Sequence, residues 1–350
     1  MQTEVTQEMD LLRDDGRITR EGYARQPVWR YRRDRVRAPW WRIKEWDYYA
    51  VIDQASGAGV TITFSDLGYA GLMALCFVDV KHGLVRQVDS LKPLTRGKLG
   101  LAEAADADHV LEYADKTLRV RLERNGGERR LSFSDAGATE GRTGARLEGE
   151  IVLHQPSDQE RLAIATSWAK KRTAFYYNQK INCMPAEGWM RAEGDKYRFA
   201  PETSFGVLDW GRGHWTYRNR WYWASASGLV DGVPFGFNFG YGFTDRSPAS
   251  ENMLFYGGQE GFRAHKLEEV RFEFDAENYL KPWAVHSNDG RVELVFEPTV
   301  NRAGRFNLLL IESDQKQVFG YYRGRVVLDD GRELKVENLA GFAEDVFNRW

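Results

Sequence analysis

The sequence predicts an all-β protein of two antiparallel barrels in tandem with a short C-terminal helix, and three observations carry that prediction. The first is composition: 12 Trp, 16 Tyr and 19 Phe stand beside 34 Gly in 350 residues. Aromatic side chains fit pleated, half-buried surfaces, and glycines serve tight turns, bulges and close backbone approaches. The second is alternation with period two: in Gly59 to Ser65, Val60, Ile62 and Phe64 face one way and Thr61, Thr63 and Ser65 the other. The third is an internal repeat. Trp46-Asp47-Tyr48-Tyr49-Ala50, Gly59 to Phe64 and Leu67-Gly68-Tyr69 recur as Trp221-Tyr222-Trp223-Ala224, Gly232 to Phe237 and Phe239-Gly240-Tyr241. Each copy reads as an aromatic strand, a hairpin, an alternating strand and a Gly-Tyr corner, one β module used twice.

Along the chain, residues 1–40 form an Arg/aromatic arm, 41–165 a first barrel module and 166–350 a second module that carries the candidate site. Ten arginines lie between Arg13 and Arg42, interleaved with Trp29, Tyr31, Trp40 and Trp41, while Pro27 and Pro39 discourage a helix. Asp14, Asp15, Glu21 and Asp34 dilute the charge run, so the preferred reading is an extended arm whose arginines pair with carboxylates of the folded body. Transient contact with an anionic membrane surface through this arm is the other reading. Asn125-Gly126-Gly127 and Asn288-Asp289-Gly290 each separate two strand-like runs and read as hairpins. Further strands are expected over Arg146 to His154, Phe306 to Glu312, Gln317 to Leu328 and Glu333 to Glu337. Phe342, Val346 and Trp350, spaced by four, predict the terminal helix.

Charge and motifs exclude several classes. A net charge of −2 argues against a globally basic nucleic-acid binder, so no nucleic-acid partner is expected. No apolar run reaches the length of a membrane span and the N-terminus lacks a signal-peptide pattern, so a soluble, cytoplasmic protein is expected. Cys76 and Cys183 form no CxxC and have no His spaced for zinc; neither a disulfide framework nor a metal is indicated. The sequence lacks a GxSxG elbow, a P-loop, HExxH and a GxGxxG entering a helix, so no cofactor is expected.

The densest unusual stretch runs from Phe205 to Tyr256. Gly206 to Trp215 places Asp209, Arg212 and His214 within six positions beside glycines that permit a tight turn, where an Asp209–Arg212 salt bridge would order the loop. In the strand that follows, Trp215, Tyr217, Asn219, Trp221 and Trp223 share one face and Arg218 and Arg220 lie on the other. Val233 to Phe243 alternates Phe and Tyr against Gly, with Asn238 the lone polar handle on the flat face. That face either admits a ligand or receives the tryptophans of a neighbouring strand. Asp209, Glu251 and His214 are the candidates for proton transfer, with His265 as an alternative relay. Arg212 and Arg218 would orient a ligand that the Trp, Tyr and Asn side chains enclose, together with Tyr241 and Asn252. A carboxyl in an aromatic cavity has its pKa raised and stays protonated near neutrality. Such a set suits cofactor-free hydration, isomerisation or cyclisation of an alkene-bearing lipid.

The run Gly206-Val207-Leu208-Asp209-Trp210-Gly211-Arg212-Gly213, with Trp215, Tyr217-Arg218-Asn219, Trp221 to Ser225, Gly236-Phe237-Asn238, Gly240-Tyr241-Gly242, Glu251-Asn252 and Gly341-Phe342-Ala343-Glu344, resembles the bacterial domain-of-unknown-function family 2804. More remotely the chain is similar to paired lipocalin-like (calycin) barrels, which include carotenoid 1,2-hydratases, tocopherol cyclases and fungal Diels–Alder cyclases. That resemblance implies lipocalin-like barrels and a bulky lipophilic substrate handled without a cofactor; it transfers no catalytic residue. The expectation is therefore a small hydrophobic molecule, isoprenoid or fatty, in an aromatic-lined cavity of the second half. Whether the protein converts that molecule, as a hydratase or an isomerase/cyclase, or only carries or senses it, stays open. A carbohydrate-active β protein is the third reading, and it requires tryptophans on an open groove.

Overall fold

A computed structural model describes residues 2–136, 146–259 and 261–350. Thirteen of the described strands form one antiparallel sheet and nine form another, and each sheet curls into a half-barrel. Ten strands of the first run in the order Leu84–Pro93, Ala70–Asp79, Ala58–Asp66, Ile43–Asp53, Ser204–His214, Lys171–Ala192, Glu148–His154, Glu128–Asp135, Leu118–Asn125, His109–Ala114, and Leu162–Trp168, Asp195–Phe199 and Gly22–Ala24 pair off this path. The second runs Gly261–Lys266, Met253–Gly258, Val233–Tyr241, Arg218–Val230, Glu333–Arg349, Ile311–Val327, Val292–Leu308, Trp283–Ser287, Val270–Glu273.

The two copies of the sequence repeat occupy the same place in their sheets. Ile43–Asp53 pairs on one side with Ala58–Asp66 and on the other with Ser204–His214, the last long strand of its sheet. Arg218–Val230 does the same with Val233–Tyr241 and Glu333–Arg349. The first sheet extends to His214 and the second begins at Arg218, so the chain changes sheets at 215–217, well past the 165/166 boundary read from sequence. The long strand Lys171–Ala192 is the cause: it continues the first sheet and pairs along most of Ser204–His214.

Period two then decides what each face covers. Phe175, Tyr177, Ile181, Leu208 and Trp210 fill the first half-barrel, while Phe235, Phe237, Phe239, Trp283, Phe296 and Tyr322 fill the second. The opposite faces of the central strands meet each other. Trp46, Tyr48, Tyr176, Trp215, Trp221, Trp223 and Phe342 form two apolar clusters along this seam between the sheets.

Three expectations are corrected. The C-terminal helix is absent: Glu333–Arg349 is a strand, and Phe342, Val346 and Trp350 satisfy a period of two as well as one of four. Phe306 to Glu312 is not one strand but the tip of a hairpin, whose arms Val292–Leu308 and Ile311–Val327 pair through Leu308 and Ile311. Gly206 to Trp215 is no turn either, because Ser204–His214 is a continuous strand. The glycine at 211 serves a close approach, since a Cβ there would lie inside the Trp46 ring.

The N-terminal segment wraps the body. Gly22–Ala24 adds to Leu162–Trp168, Arg25 pairs with Glu4, and Arg33 pairs with buried Glu45. Both cysteines are buried and free. Among the described residues no helix is long and apolar enough to cross a membrane.

Replacing Gly211 by Ala is expected to cost about 1–3 kcal/mol by overpacking against Trp46. Chemical denaturation followed by tryptophan emission measures it; an unchanged midpoint would show that Trp46 can move aside freely.

Candidate functional site

Titratable side chains converge where the two sheets face each other. Tyr176, Asn178 and Lys180 alternate along one strand and share its seam-facing side, a polar run inside an otherwise apolar stretch. Lys180 Nζ lies 3.0 Å from Asp209 Oδ2, and Asn178 Nδ2 donates to the other oxygen of Asp209. The same ammonium stands 4.2 Å from the centre of the Trp223 ring, a cation–π contact inside the protein. Tyr176 donates to Glu251 Oε1 at 2.7 Å. Across the seam, Gln317 donates to Glu344 and, at 2.9 Å, to the Tyr48 oxygen.

One lysine therefore faces Asp209, Glu251 and Glu344 within a buried, water-poor space. Removing a carboxylate from water disfavours its charged form, and a like charge nearby adds to that. Burial, then the Asp209 charge, raises the Glu344 carboxyl from 4.5 to about 7, with Arg302 and Lys180 pulling the other way. Burial also raises Glu251; Lys180 and the Tyr176 hydrogen bond lower it, and Asp209 raises it again. Burial thus brings the Glu344 carboxyl into the neutral range and shifts Glu251 toward its acid form.

Aromatic rings close the space. Trp215 touches Trp46, Trp168, Tyr176, Trp221, Phe243 and Trp350 with centroids between 5.2 and 6.0 Å. Phe243 stands edge-on to Tyr176 at 4.9 Å. Between Tyr176, Phe243, Gly240 and Glu251 lies a cavity of about 10 Å³, room for roughly one water. A larger hollow of about 540 Å³ lies away from the seam, on the strands His109–Ala114 to Glu148–His154, where Arg121 pairs with Glu112 and Arg146 with Glu148.

The aromatic-lined cavity expected inside the second half is corrected: Phe235, Phe237 and Phe239 fill that interior. The flat glycine face looks the other way, into the seam. A Cβ on Gly236 would strike the Cys183 sulfur and one on Gly240 the Glu251 carboxylate, so that face receives the first sheet and the acid. Asn238 accepts from Trp223 Nε1 at 2.7 Å and donates to the Glu251 carbonyl at 2.7 Å, fixing the backbone that carries the acid.

The structure gathers Asp209, Glu251, Trp215, Trp221, Trp223 and Asn238 at the seam. It separates the rest. Arg212 is three residues from Asp209 on a strand, hence on the opposite face; it pairs with Asp47 at 2.9 Å and covers the Trp210 ring. The anticipated Asp209–Arg212 bridge is replaced by Asp209–Lys180. His214 also falls on the far face, its Nδ1 2.9 Å from the Thr173 carbonyl, and burial together with Lys171 lowers it to about 4. His265 accepts from the Asp329 backbone. Arg218 is exposed over Phe347, Tyr217 donates to the Leu310 carbonyl, and Asn219 bonds Thr216. Tyr241 stacks on Tyr222, and Asn252 Oδ1 accepts from Gly240 N. Sequence reasoning missed Tyr176, Lys180, Tyr48, Gln317 and Glu344. The alternation Tyr176, Asn178, Lys180, Asn182 was the available signal. Trp215 and Trp223 are buried, so they offer no open sugar-binding platform.

Fold and seam together define a protein of two curled antiparallel half-barrels, lipocalin-like, with an acidic cluster between them. The chain belongs to the family described as Domain of unknown function (DUF2804), whose model matches residues 2–350. No curated protein matches it. Among solved structures it is similar to an AttH-type protein from Nitrosomonas europaea (14% identity, 87% of this chain and 92% of that one, TM-score 0.50). It is also similar to CghA solved with Sch210972 (10%, 88% and 88%, 0.51). A third structure, kievitone hydratase from Nectria haematococca, aligns at 9% identity over 87% and 88% with a TM-score of 0.47. The first two likenesses establish the shared two-barrel fold.

Two outcomes test the electrostatics. Lys180→Met leaves buried Asp209 without its ion-pair partner and is expected to cost about 3–5 kcal/mol, part of it recovered by adding Asp209→Asn; a neutral single variant would overturn the pairing. Because Glu344 is raised in the folded state, the unfolded chain ionises first and stability from this group falls as pH rises from about 4.5 to about 7. Glu344→Gln should therefore gain thermal stability relative to the parent at pH above about 7 and not below about 4.5. Melting curves across that window would show it.

Proposed function

We propose that this protein binds a bulky lipophilic, alkene-bearing molecule at the seam and that Glu251 protonates it, in a hydration, isomerisation or cyclisation that needs no cofactor. The observation that carries this reading is the position of Glu251: a buried carboxyl with a raised pKa, on one wall of a cavity whose other wall is Tyr176 and Phe243. The fold shared with CghA, which was solved with Sch210972, supports it by analogy only.

In this scheme the Glu251 proton moves to one alkene carbon while the π pair forms the new C–H bond. The positive charge left on the neighbouring carbon lies against the Tyr176, Phe243 and Trp215 faces, each ring contributing roughly 0.5–2 kcal/mol. A water adds and returns its proton to Glu251 in hydration; a neighbouring C–H returns it in isomerisation. Tyr176 holds the carboxyl in place. The ligand enters by displacing residues 244–249, the irregular stretch that borders the small cavity between Phe243 and Ser250, while Phe243 and Glu251 keep their contacts with Tyr176.

The carrier reading keeps the same site without turnover, and the fully engaged Tyr176–Glu251 pair favours it. Native mass spectrometry of protein purified from its own host, followed by incubation with the co-purifying molecule, separates the two. Glu251→Gln should retain that mass and lose turnover by roughly 10²–10⁴-fold. Wild-type turnover by this variant would refute the acid role, binding without turnover in either protein would establish the carrier, and no bound mass in either would remove the ligand.

A further inference from the structure

The hairpin joining Val292–Leu308 to Ile311–Val327 projects at one end of the second sheet, and its tip is the reverse of what a hairpin turn usually carries. Leu309 and Leu310 are the two turn residues, between the paired Leu308 and Ile311. A two-residue hairpin turn with a positive φ at its first position alone favours Gly there, followed by a polar residue such as Asn or Ser. Leu309 stands there with φ 45°. It is 87% exposed, Leu310 73%, Leu308 59% and Phe306 49%. Four large apolar side chains thus face outward on a convex point, two of them in turn positions that polar residues or glycine would fill more stably. Backbone strain kept at an exposed site points to function.

The surroundings select the occupant. Arg218, Arg349, Glu312 and Asn307 lie in one row across the four strands just below the tip. Arg349 donates to the Leu309 carbonyl, and Tyr217 donates to the Leu310 carbonyl at 2.7 Å. Arg42 lies over the Tyr217 ring, next to the half-exposed Trp41. Arg305 is two-thirds exposed, and Glu312 is the carboxylate that Arg305 and Arg349 share. A leucine and phenylalanine tip with a collar of arginine, tyrosine and tryptophan matches a bilayer: apolar groups below the headgroups, amphipathic rings at their level, guanidinium groups among phosphates. A convex two-strand point offers little of the broad, complementary area that a protein partner needs.

We propose that the Phe306–Leu310 hairpin tip inserts into the interfacial region of an anionic lipid membrane, with Arg42, Arg218, Arg305 and Arg349 binding phosphate around it. This docking stands independently of the chemistry assigned to the seam, and of the N-terminal arginine run it uses only Arg42.

The test uses the full chain and sedimentation with vesicles of phosphatidylcholine alone and of phosphatidylcholine with phosphatidylserine. The parent protein should bind the mixed vesicles, more weakly at high salt, and bind the neutral ones less. The double variant Leu309→Gly, Leu310→Asn installs the preferred turn residues, so it should fold at least as stably while its vesicle binding falls about ten-fold or more. Undiminished vesicle binding by the variant, or no binding by the parent to either vesicle, would overturn the proposal. A parent that elutes as a dimer, and a variant that elutes as a monomer with no vesicle binding by either, would assign the tip to a second copy of the chain instead.

Discussion

Everything at the centre of this molecule depends on placing one ammonium group, Lys180, between two sheets that otherwise meet through rings and carboxyl groups. A lone carboxylate buried there would be too costly to keep charged, and among the described residues Lys180 is the one cation that acts on all three acids, with Lys266 adding at Glu251 and Arg302 at Glu344. With Lys180 against Asp209 and the face of Trp223, one negative charge is compensated directly and the other two acids are moved toward their neutral forms. The seam is thus held by rings, pinned by Asn178, Asn182 and Asn238, and left with exchangeable protons at its centre. An interface stabilised only by packing would have no reason to hold acids with raised pKa values, and such shifts cluster at functional sites.

Local patterning made the β architecture legible. Alternation identified the hairpins, and the repeat identified the equivalent first hairpins of the two sheets, because both signals come from adjacent residues on a single strand pair. Which object covers a given face is a different kind of fact. The glycine face of Val233–Tyr241 was visible as flat, yet its cover is Cys183 and Glu251, one from a strand of the other sheet and one from the loop that follows. Asp209 was visible as a candidate acid, while its partner lies 29 positions earlier and is brought opposite by antiparallel register. The error at Asp209 and Arg212 came from reading a turn where a strand runs, since a separation of three brings side chains together on a helix or turn and sends them apart on a strand.

The terminal segment shows a related ambiguity. Residues spaced by four share a face under either period, so Phe342, Val346 and Trp350 alone cannot distinguish helix from strand. Glu344 sits between them on that face, opposite Gln317, and belongs to the seam only if the segment is extended. Reading the segment as a helix therefore hid an acid as well as a strand. The same neighbourhood carries the leucine turn, where Leu309 occupies a conformation that no propensity argument would have assigned to it.

The N-terminal wrap bears on the order of assembly. Gln2 bonds Ser250 and the Leu267 carbonyl, Thr3 N bonds the Pro248 carbonyl, and Arg25 bonds the Ala264 carbonyl, while Gly22–Ala24 is a strand of the first sheet. Gln2 and Thr3 thus wait for partners some 250 positions later in the chain. Contacts of such sequence separation form late in folding, because the loop must close before they reward it. In a folding chain the segment beside Glu251 therefore stays uncovered until these distant residues close over it.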